Sequence, residues 1–274
     1  MTLDPRLQQR VQRYGWDRAA STYEQSWQKQ LEPAQTLLMD MAALSPGENV
    51  LDLACGTGLV TFRAADAVGP SGAVTGTDIS DGMIEQCRRI ADERGLRHVS
   101  FRRMAAEELG FDDASFDAVL CALGMMYVVD FAGSIREMHR VTRAGGRAVS
   151  AVWGRRDRCG WAEIFGIVER RVQSDVCPMF FQLGTGDLQK MLFEQAGFVD
   201  VRSERITTVL EYESDEEACL AAFAGGPVAM AYSRFDDATR AGAHAEYIES
   251  IAAYRRDHGY ALPGEFVVTL GRRR

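Results

Sequence analysis

The chain has 274 residues, 46% of them hydrophobic, and 39 acidic against 31 basic side chains leave a formal net charge of −8. That length can bury a sizeable core in one large domain, or one domain with an appendage, and the acidic balance argues against nucleic acid as a main partner. Six cysteines lie scattered at 55, 87, 121, 159, 177 and 219 with no C-x-x-C pair, which speaks against a disulfide frame or a zinc site and fits a reducing cytoplasm. Residues 1–6 lack the apolar core of a signal peptide, and the longest apolar run, 118–129, is too short to span a bilayer. A cytoplasmic protein without a metal site is expected.

Residues 6–44 read as a helical arm carrying Tyr14, Trp16, Tyr23 and Trp27, and Ser45-Pro46-Gly47 breaks it from the first strand. Aromatics at this spacing form the packing face of a helix, but an arm placed before the first strand of a doubly wound sheet can also fold over the sheet's ligand-binding edge. The apolar run Val50-Leu51-Asp52-Leu53 then stops at Ala54-Cys55-Gly56-Thr57-Gly58, and residues 61–67 favour helix. A strand, a tight turn and a helix N-terminus bring backbone N–H groups close to a ligand, since glycine has no Cβ to hold it off. A second run, Ala73-Val74-Thr75-Gly76-Thr77, ends in Asp78, where a strand-tip carboxylate can accept bonds from two ribose hydroxyls. The two features describe a nucleoside pocket. A dinucleotide binder has a glycine where this chain has Thr61, and another at Ala54. Asp52 disfavours a polyanion and favours a cationic or zwitterionic ligand, a sign that S-adenosylmethionine (SAM) fits and NAD(P) does not.

A helix opened by Ser80-Asp81-Gly82 carries Met83, Ile84 and Cys87 on one face and ends at Gly95. Next come a strand at 98–102, a turn at 104–109, a strand at 116–122, the apolar loop Leu123-Gly124-Met125-Met126-Tyr127 and a helix at 131–142. A turn at Arg143-Ala144-Gly145-Gly146 leads into a strand at 147–153. This alternation means βαβ units and a mainly parallel sheet. Farther on, 160–174 and 186–196 read as helical, and a sixth strand runs from Phe198 to Tyr212. Residues 215–256 are mostly helical with a break at Gly225-Gly226-Pro227, and 265–270 is the last strand. The expected organisation is a single domain: an arm (1–45), a cofactor-binding core (46–155) and an acceptor-side part (156–274) whose insertion at about 214–260 serves as a lid.

Four motifs in order make the chain resemble a class I SAM-dependent methyltransferase, in the small-molecule branch around the ubiquinone/menaquinone-biosynthesis (type 11) enzymes. They are Leu51-Asp52-Leu53-Ala54-Cys55-Gly56-Thr57-Gly58, then Gly76-Thr77-Asp78-Ile79-Ser80 with Met83, then Ala106-Glu107-Glu108-Leu109 leading into Ser115-Phe116-Asp117-Ala118-Val119. The fourth is Glu137-Met138-His139-Arg140-Val141-Thr142-Arg143-Ala144-Gly145-Gly146. The resemblance covers residues 10–155 strongly and the remainder in outline. It implies an α/β, Rossmann-like methyltransferase fold: a doubly wound, mainly parallel seven-stranded sheet with its last strand antiparallel, an N-terminal helical arm, and a helical insertion before that strand. The implied cofactor is SAM and the product S-adenosylhomocysteine (SAH). Asp52, Ala54, Gly56, Thr57 and Gly58 would hold the methionine moiety and Asp78 the ribose. Ile79 and Met83 would pack on the adenine face, with Ala106 at its edge, Cys121 near the methionine end through its backbone, and Tyr23 at the SAM carboxylate. Many relatives carry an Asp, bonded to the adenine amino group, where this chain has Ala105. Adenine recognition then leans on backbone groups, water or Glu107, at a cost of about 0.5–1.5 kcal/mol. Ala54 replaces a frequent glycine, a mild change on this reading.

The implied reaction is direct displacement, an acceptor nucleophile attacking the sulfonium methyl in line. Positioning and desolvation carry most of the catalysis, and a general base is needed only if the acceptor must lose a proton. His98, His139, His244 and His258 sit at no strand tip, so Tyr14 and Tyr127 are the candidate orienting or proton-handling groups. Met125, Met126, Tyr127 and Trp153 are the substrate-binding candidates, with Trp161, Phe165, Phe180 and Phe181 as further apolar walls. Such walls suit a small, hydrophobic or aromatic acceptor. Competing readings are a non-catalytic SAM-binding sensor or scaffold, and a thiol or metalloid methyltransferase with Cys159 and Cys177 as capture groups. The expected partner is the small acceptor, without nucleic acid or a membrane span, and a homodimer is left open.

Overall fold

A computed structural model describes residues 5–20, 23–172, 180–224 and 228–274. The helical arm is two helices, α1 (Pro5–Ala19) and α2 (Tyr23–Ala42). The second lies along the sheet and buries Trp27, Leu31, Ala34, Leu38 and Ala42 in the main core. Seven strands make one sheet: β1 (Asn49–Leu53), β2 (Ala73–Asp78), β3 (Val99–Arg103), β4 (Phe116–Ala122), β5 (Thr142–Trp153), β6 (Val199–Tyr212) and β7 (Tyr260–Arg272). Their order is β3-β2-β1-β4-β5-β7-β6. Every pair is parallel except those of β7, which runs antiparallel to β5 and β6, as the resemblance implies. Val50, Leu51, Leu53 and Ala118 to Leu120 are fully buried. Unbroken apolar runs of this kind belong to strands covered on both faces.

From β1 the chain steps outward to β2 and β3, and from β4 it steps the other way to β5. Right-handed crossovers then place α3 (Leu59–Val68) and α5 (Phe131–Val141) on opposite faces. The reversal between β1 and β4 opens a crevice at the carboxyl ends of the strands. Helix α4 (Asp81–Glu93) covers β2 and β3, and α7 (Leu188–Gln195) packs on β6, β7 and α5. The insertion comprises α8 (Asp215–Cys219), which runs into a π-helical turn at Leu220–Ala224, then α9 (Ala229–Tyr232) and α10 (Asp237–Ser250). Helix α10 packs on α8 and on α6 (Ile164–Glu169), whereas α9 packs on α1. Helix α1 therefore lies between the insertion and α4, over the carboxyl edge of β2.

Several boundaries differ from the sequence expectation. Arg143 to Gly146, expected as a turn, belong to β5. The β4–β5 register shifts between Phe116 and Ala118, so the extra residues form a bulge. Gly145 sits there at φ 76°, and a Cβ on Gly146 would lie 2.7 Å from the carbonyl oxygen of Asp117. Strand β7 begins at Tyr260 instead of 265, because β6 pairs with it as far as Tyr212–Tyr260. Helix α6 covers only Ile164–Glu169 of the expected 160–174, and residues 173 and 174 lie outside the described residues. The apolar loop after β4 holds a 3₁₀ turn, Met125–Tyr127.

Candidate functional site

The turn after β1 owes its shape to three left-handed residues, Ala54 (φ 51°), Gly56 (φ 55°) and Gly58 (φ 93°). Gly58 caps α3, and a Cβ there would lie 2.5 Å from the Phe62 ring. Ala54 is less benign than its sequence reading, since an L-residue in this conformation carries a strain of about 1–2 kcal/mol. Its methyl also constrains the neighbouring loop: a Cβ on Gly124 would stand 2.3 Å from that of Ala54. The turn is tied to β2 by Cys55 N–H donating to the Thr77 carbonyl and Gly56 N–H donating to Asp78 Oδ2, each at 2.9 Å.

Two buried polar atoms behind this turn have no partner among the described residues. Asp52 is 1% exposed; its Oδ2 accepts from the Thr61 hydroxyl at 2.6 Å, but its Oδ1 has no donor. Burial pushes its carboxyl up to about 7, the Thr61 bond opposing and the charge of Asp78 assisting. Thr57, also 1% exposed, leaves its Oγ1 unpaired. Unpaired buried polar atoms are costly and rare in native folds, so a pair beside a crevice points to a ligand. Asp78 accepts from the Ser80 N–H at Oδ1 (2.9 Å) and from Gly56 at Oδ2. Each oxygen keeps a second lone-pair direction. Burial pushes Asp78 up to about 6, against the pull of the Ser80, Gly56 and Ile79 amides.

The crevice holds a cavity of about 720 Å³, counting its open mouth. Of the sequence candidates, Tyr23, Ala54, Gly56, Asp78, Ile79, Met83, Ala105, Ala106, Glu107 and Tyr127 line it. Asp52, Thr57, Gly58 and Cys121 stand behind its wall rather than on it, and the Cys121 thiol is pushed by burial up to about 12. Burial and the charge of Asp78 raise the Tyr23 phenol above its ordinary value. Glu107 accepts from the Val129 N–H at 3.0 Å, which ties this wall to the loop after β4.

Three substrate-binding candidates lie elsewhere. Met125 and Met126 are 0% and 2% exposed and point into the core, and Trp153 is packed between Trp27, Trp161 and Phe266. None of them lines the cavity. The 3₁₀ turn explains the methionines, because it directs two successive apolar side chains inward and leaves Tyr127 at the surface of the crevice. Tyr14 is 44% exposed on the outer side of α1, away from the cavity, with the Arg13 guanidinium 4.7 Å over its ring. Among the described residues no histidine lines the cavity: His98 faces the Ala65 carbonyl, His139 packs on Phe198, and His244 bonds Tyr232.

The structure also adds lining residues that were not among the sequence candidates for the site. Gln9, Gln12 and Trp16 turn one face of α1 towards the cavity, a spacing of three and four that was legible as a helix stripe. Met104, Ala122, Leu123, Gly124 and Val128 complete the lining. Asp17 latches α1 to the start of α4, its Oδ1 accepting from the Ser80 hydroxyl at 2.6 Å and the Gly82 N–H at 3.2 Å. A carboxylate at a helix N-terminus is favourably placed.

This donor set fits SAM. An orphaned carboxyl oxygen suits an ammonium, a strand-tip carboxylate suits ribose hydroxyls, and Ile79 with Met83 offers an apolar face to a purine. Comparison with known proteins agrees. Residues 44–169 match a family model described as a methyltransferase domain. The aklanonic acid methyltransferase DauC of Streptomyces sp. (strain C5) is 39% identical over 132 residues, 48% of this chain but only 60% of that protein. A demethylmenaquinone methyltransferase of Listeria monocytogenes serotype 4a (strain HCC23) is 33% identical over 179 residues, 60% of this chain and 75% of that protein. The solved structure of Haemonchus contortus phospholethanolamine N-methyltransferase 2, in complex with phosphomonomethylethanolamine and S-adenosylhomocysteine, shares the fold. It matches at a TM-score of 0.61 and 16% identity, over 94% of this chain and 58% of that one. The chain belongs to the class I SAM-dependent methyltransferases of small-molecule type.

Proposed function

We propose that the chain methylates a small, hydrophobic acceptor of aromatic or quinone-like character by direct displacement. One observation carries this reading. Tyr127 lines the cofactor cavity and stands edge-on to Trp16 at 4.8 Å and to Phe180 at 5.3 Å, and Phe180 joins a cluster with Trp161, Phe165 and Phe181. Trp16 and Tyr127 thus put two rings on the cavity wall, backed by a buried aromatic cluster, and flat apolar molecules pack well edge-on or offset against such rings. The names of the two sequence relatives support the same class, aklanonic acid in one and a demethylmenaquinone in the other.

SAM supplies a methyl group on a sulfonium, which needs no further activation. From behind the cavity wall Asp52, steered by Thr61, would attract the ammonium by its charge and Thr57 would support the turn, while Tyr23, on the wall, would face the methionine carboxyl end. Asp78 takes the ribose hydroxyls, Ile79 and Met83 the adenine face, and Ala105, Ala106 and Glu107 its edge, while Gly58 shapes the turn and Cys121 contributes its backbone. Trp16 and Tyr127 exclude water and orient the acceptor. No described histidine attends this cavity, so an acceptor that loses a proton gives it to solvent, with Tyr127 left to orient the acceptor. The same reading places the protein in the cytoplasm, in keeping with its five described cysteines being free.

Calorimetric titration with SAM, SAH and NADH comes first, followed by a screen of phenols, quinones and polycyclic acids. Tyr127→Ala should lower kcat/KM by about 10- to 100-fold while SAH affinity stays within about threefold. Unchanged turnover would overturn the acceptor assignment. Failure of every acceptor despite tight SAH binding would favour the sensor or scaffold reading. A metalloid acceptor is disfavoured because burial pushes the Cys159 thiol up to about 12. Its partner in that reading, Cys177, lies outside the described residues.

A further inference from the structure

A second cleft shares a wall with the cofactor cavity: Gln9, Ile79, Met104 and Ala105 line both. It opens outwards, about 950 Å³ counting its mouth, and the rest of its lining is Arg10, Arg13, Tyr14 and Arg103. Three arginines without a lining carboxylate invert the charge of a chain that carries −8 overall. Arg103 does meet one carboxylate nearby, Asp81 at 3.1 Å, but that pair is about half exposed and weak. Arg13 is different. Its Nε is buried with no acceptor among the described residues, while its guanidinium lies over the Tyr14 ring. A buried donor without an acceptor is a destabilising feature that an oxyanion in the cleft would remove.

The three arginines also belong to two separate elements. Arg10 and Arg13 ride on α1, whereas Arg103 ends β3, opposite Asp78 in the sheet register. The three like charges line one cleft across this junction and oppose its closure, whereas the Asp17 latch favours it. A multivalent oxyanion between them would reverse the sign, since guanidinium groups bind phosphate oxygens in pairs. We propose that this cleft binds a soluble phosphate-class anion, such as pyrophosphate or the phosphate chain of a nucleotide. Its occupancy holds α1 down over the cofactor and slows release of the adenosyl ligand. Coupling of this kind is reciprocal: whatever factor pyrophosphate adds to SAH affinity, SAH adds to pyrophosphate affinity.

The test uses the full chain and pyrophosphate in metal-free buffer, with chloride keeping ionic strength constant. Calorimetry should show pyrophosphate binding to the ligand-free chain, which examines the cleft independently of the cofactor. Stopped-flow release of SAH should slow by about 5- to 20-fold when pyrophosphate is present. Arg13→Gln and Arg103→Gln should each lose both effects, and Arg18→Gln, an exposed arginine of α1 outside the cleft, should keep them. Absence of pyrophosphate binding would overturn the proposal, as would full binding in the double variant Arg13→Gln/Arg103→Gln. Binding that leaves the SAH release rate unchanged would overturn the coupling. Capture of the chain by phosphatidylglycerol vesicles without competition from pyrophosphate would replace the soluble anion with a lipid surface.

Discussion

At the amino end of the sheet Arg147 is 7% exposed, yet it donates to both carboxylate oxygens of Glu48 at 2.7 Å and to the carbonyls of Ala42 and Ala43. At the carboxyl end Asp52 is 1% exposed and has a single side-chain donor, Thr61. The consequences for the two carboxylates are opposite. Burial raises the Glu48 carboxyl, but the Arg147 bonds and charge and the Ser45 amide outweigh it and hold the group below its ordinary value. Asp52, more deeply buried and without a cation, ends up near 7. One end of the sheet satisfies its buried charge with its own chain. The other leaves a carboxylate short of a counter-charge, as the role proposed for Asp52 toward a cationic ligand requires.

Breaking the satisfied end should have the largest effect. Arg147→Met strips the half-buried Glu48 of its cation, leaving it the Ser45 amide, and frees the Ala42 and Ala43 carbonyls, and should lower the free energy of unfolding by about 2–3 kcal/mol in urea titration. SAH affinity of the folded fraction should change by less than about threefold. Loss of SAH binding with unchanged stability would erase the contrast between the ends.

Asp52→Asn should do the reverse. The folded chain keeps the Asp52 proton up to about pH 7, whereas the unfolded chain releases it near the ordinary value of 3.8. Between those values the folded state binds the extra proton, so stability falls as pH rises, and near pH 8 the buried anion destabilises the ligand-free protein. The asparagine variant should therefore be more stable by about 1–3 kcal/mol near pH 8. It should also bind SAM about 10- to 100-fold more weakly, the worth of a charged hydrogen bond. Wild-type affinity should climb as pH passes through about 7, and the variant should lose that climb in calorimetry. A pH-independent wild-type affinity would separate Asp52 from the ammonium.

Removing the arm latch tests the open end more gently. Asp17→Ala gives up the bonds to Ser80 and Gly82 and should cost about 0.5–1.5 kcal/mol. The loss should appear mostly as faster SAH release in stopped-flow traces, with little change in melting temperature. The smallest effect is expected from Ala54→Gly. Relief of the φ 51° strain and the greater freedom of glycine in the unfolded chain nearly cancel, so stability should move by no more than about 1 kcal/mol in thermal melts.

What could be read from the amino acids alone were the local properties. Unbroken apolar runs marked strands covered on both faces, the glycines at 56 and 58 marked a turn that needs left-handed backbone, and Asp78 marked a strand tip. These come from side-chain periodicity and backbone sterics within a few residues, and the fold class came from their alternation. The contacts that make the turn a candidate cofactor site were decided by the tertiary structure. Thr61, noticed only for not being glycine, orients Asp52 because the first turn of α3 brings its hydroxyl back to β1. Asp17 reaches Ser80 across 63 residues of chain. Met125, Met126 and Trp153 went into the core and Tyr14 to the outside because the direction of a side chain depends on what its element packs against. An apolar residue reads the same in sequence whether it faces a ligand or the interior, and only the neighbouring helices and strands choose between the two.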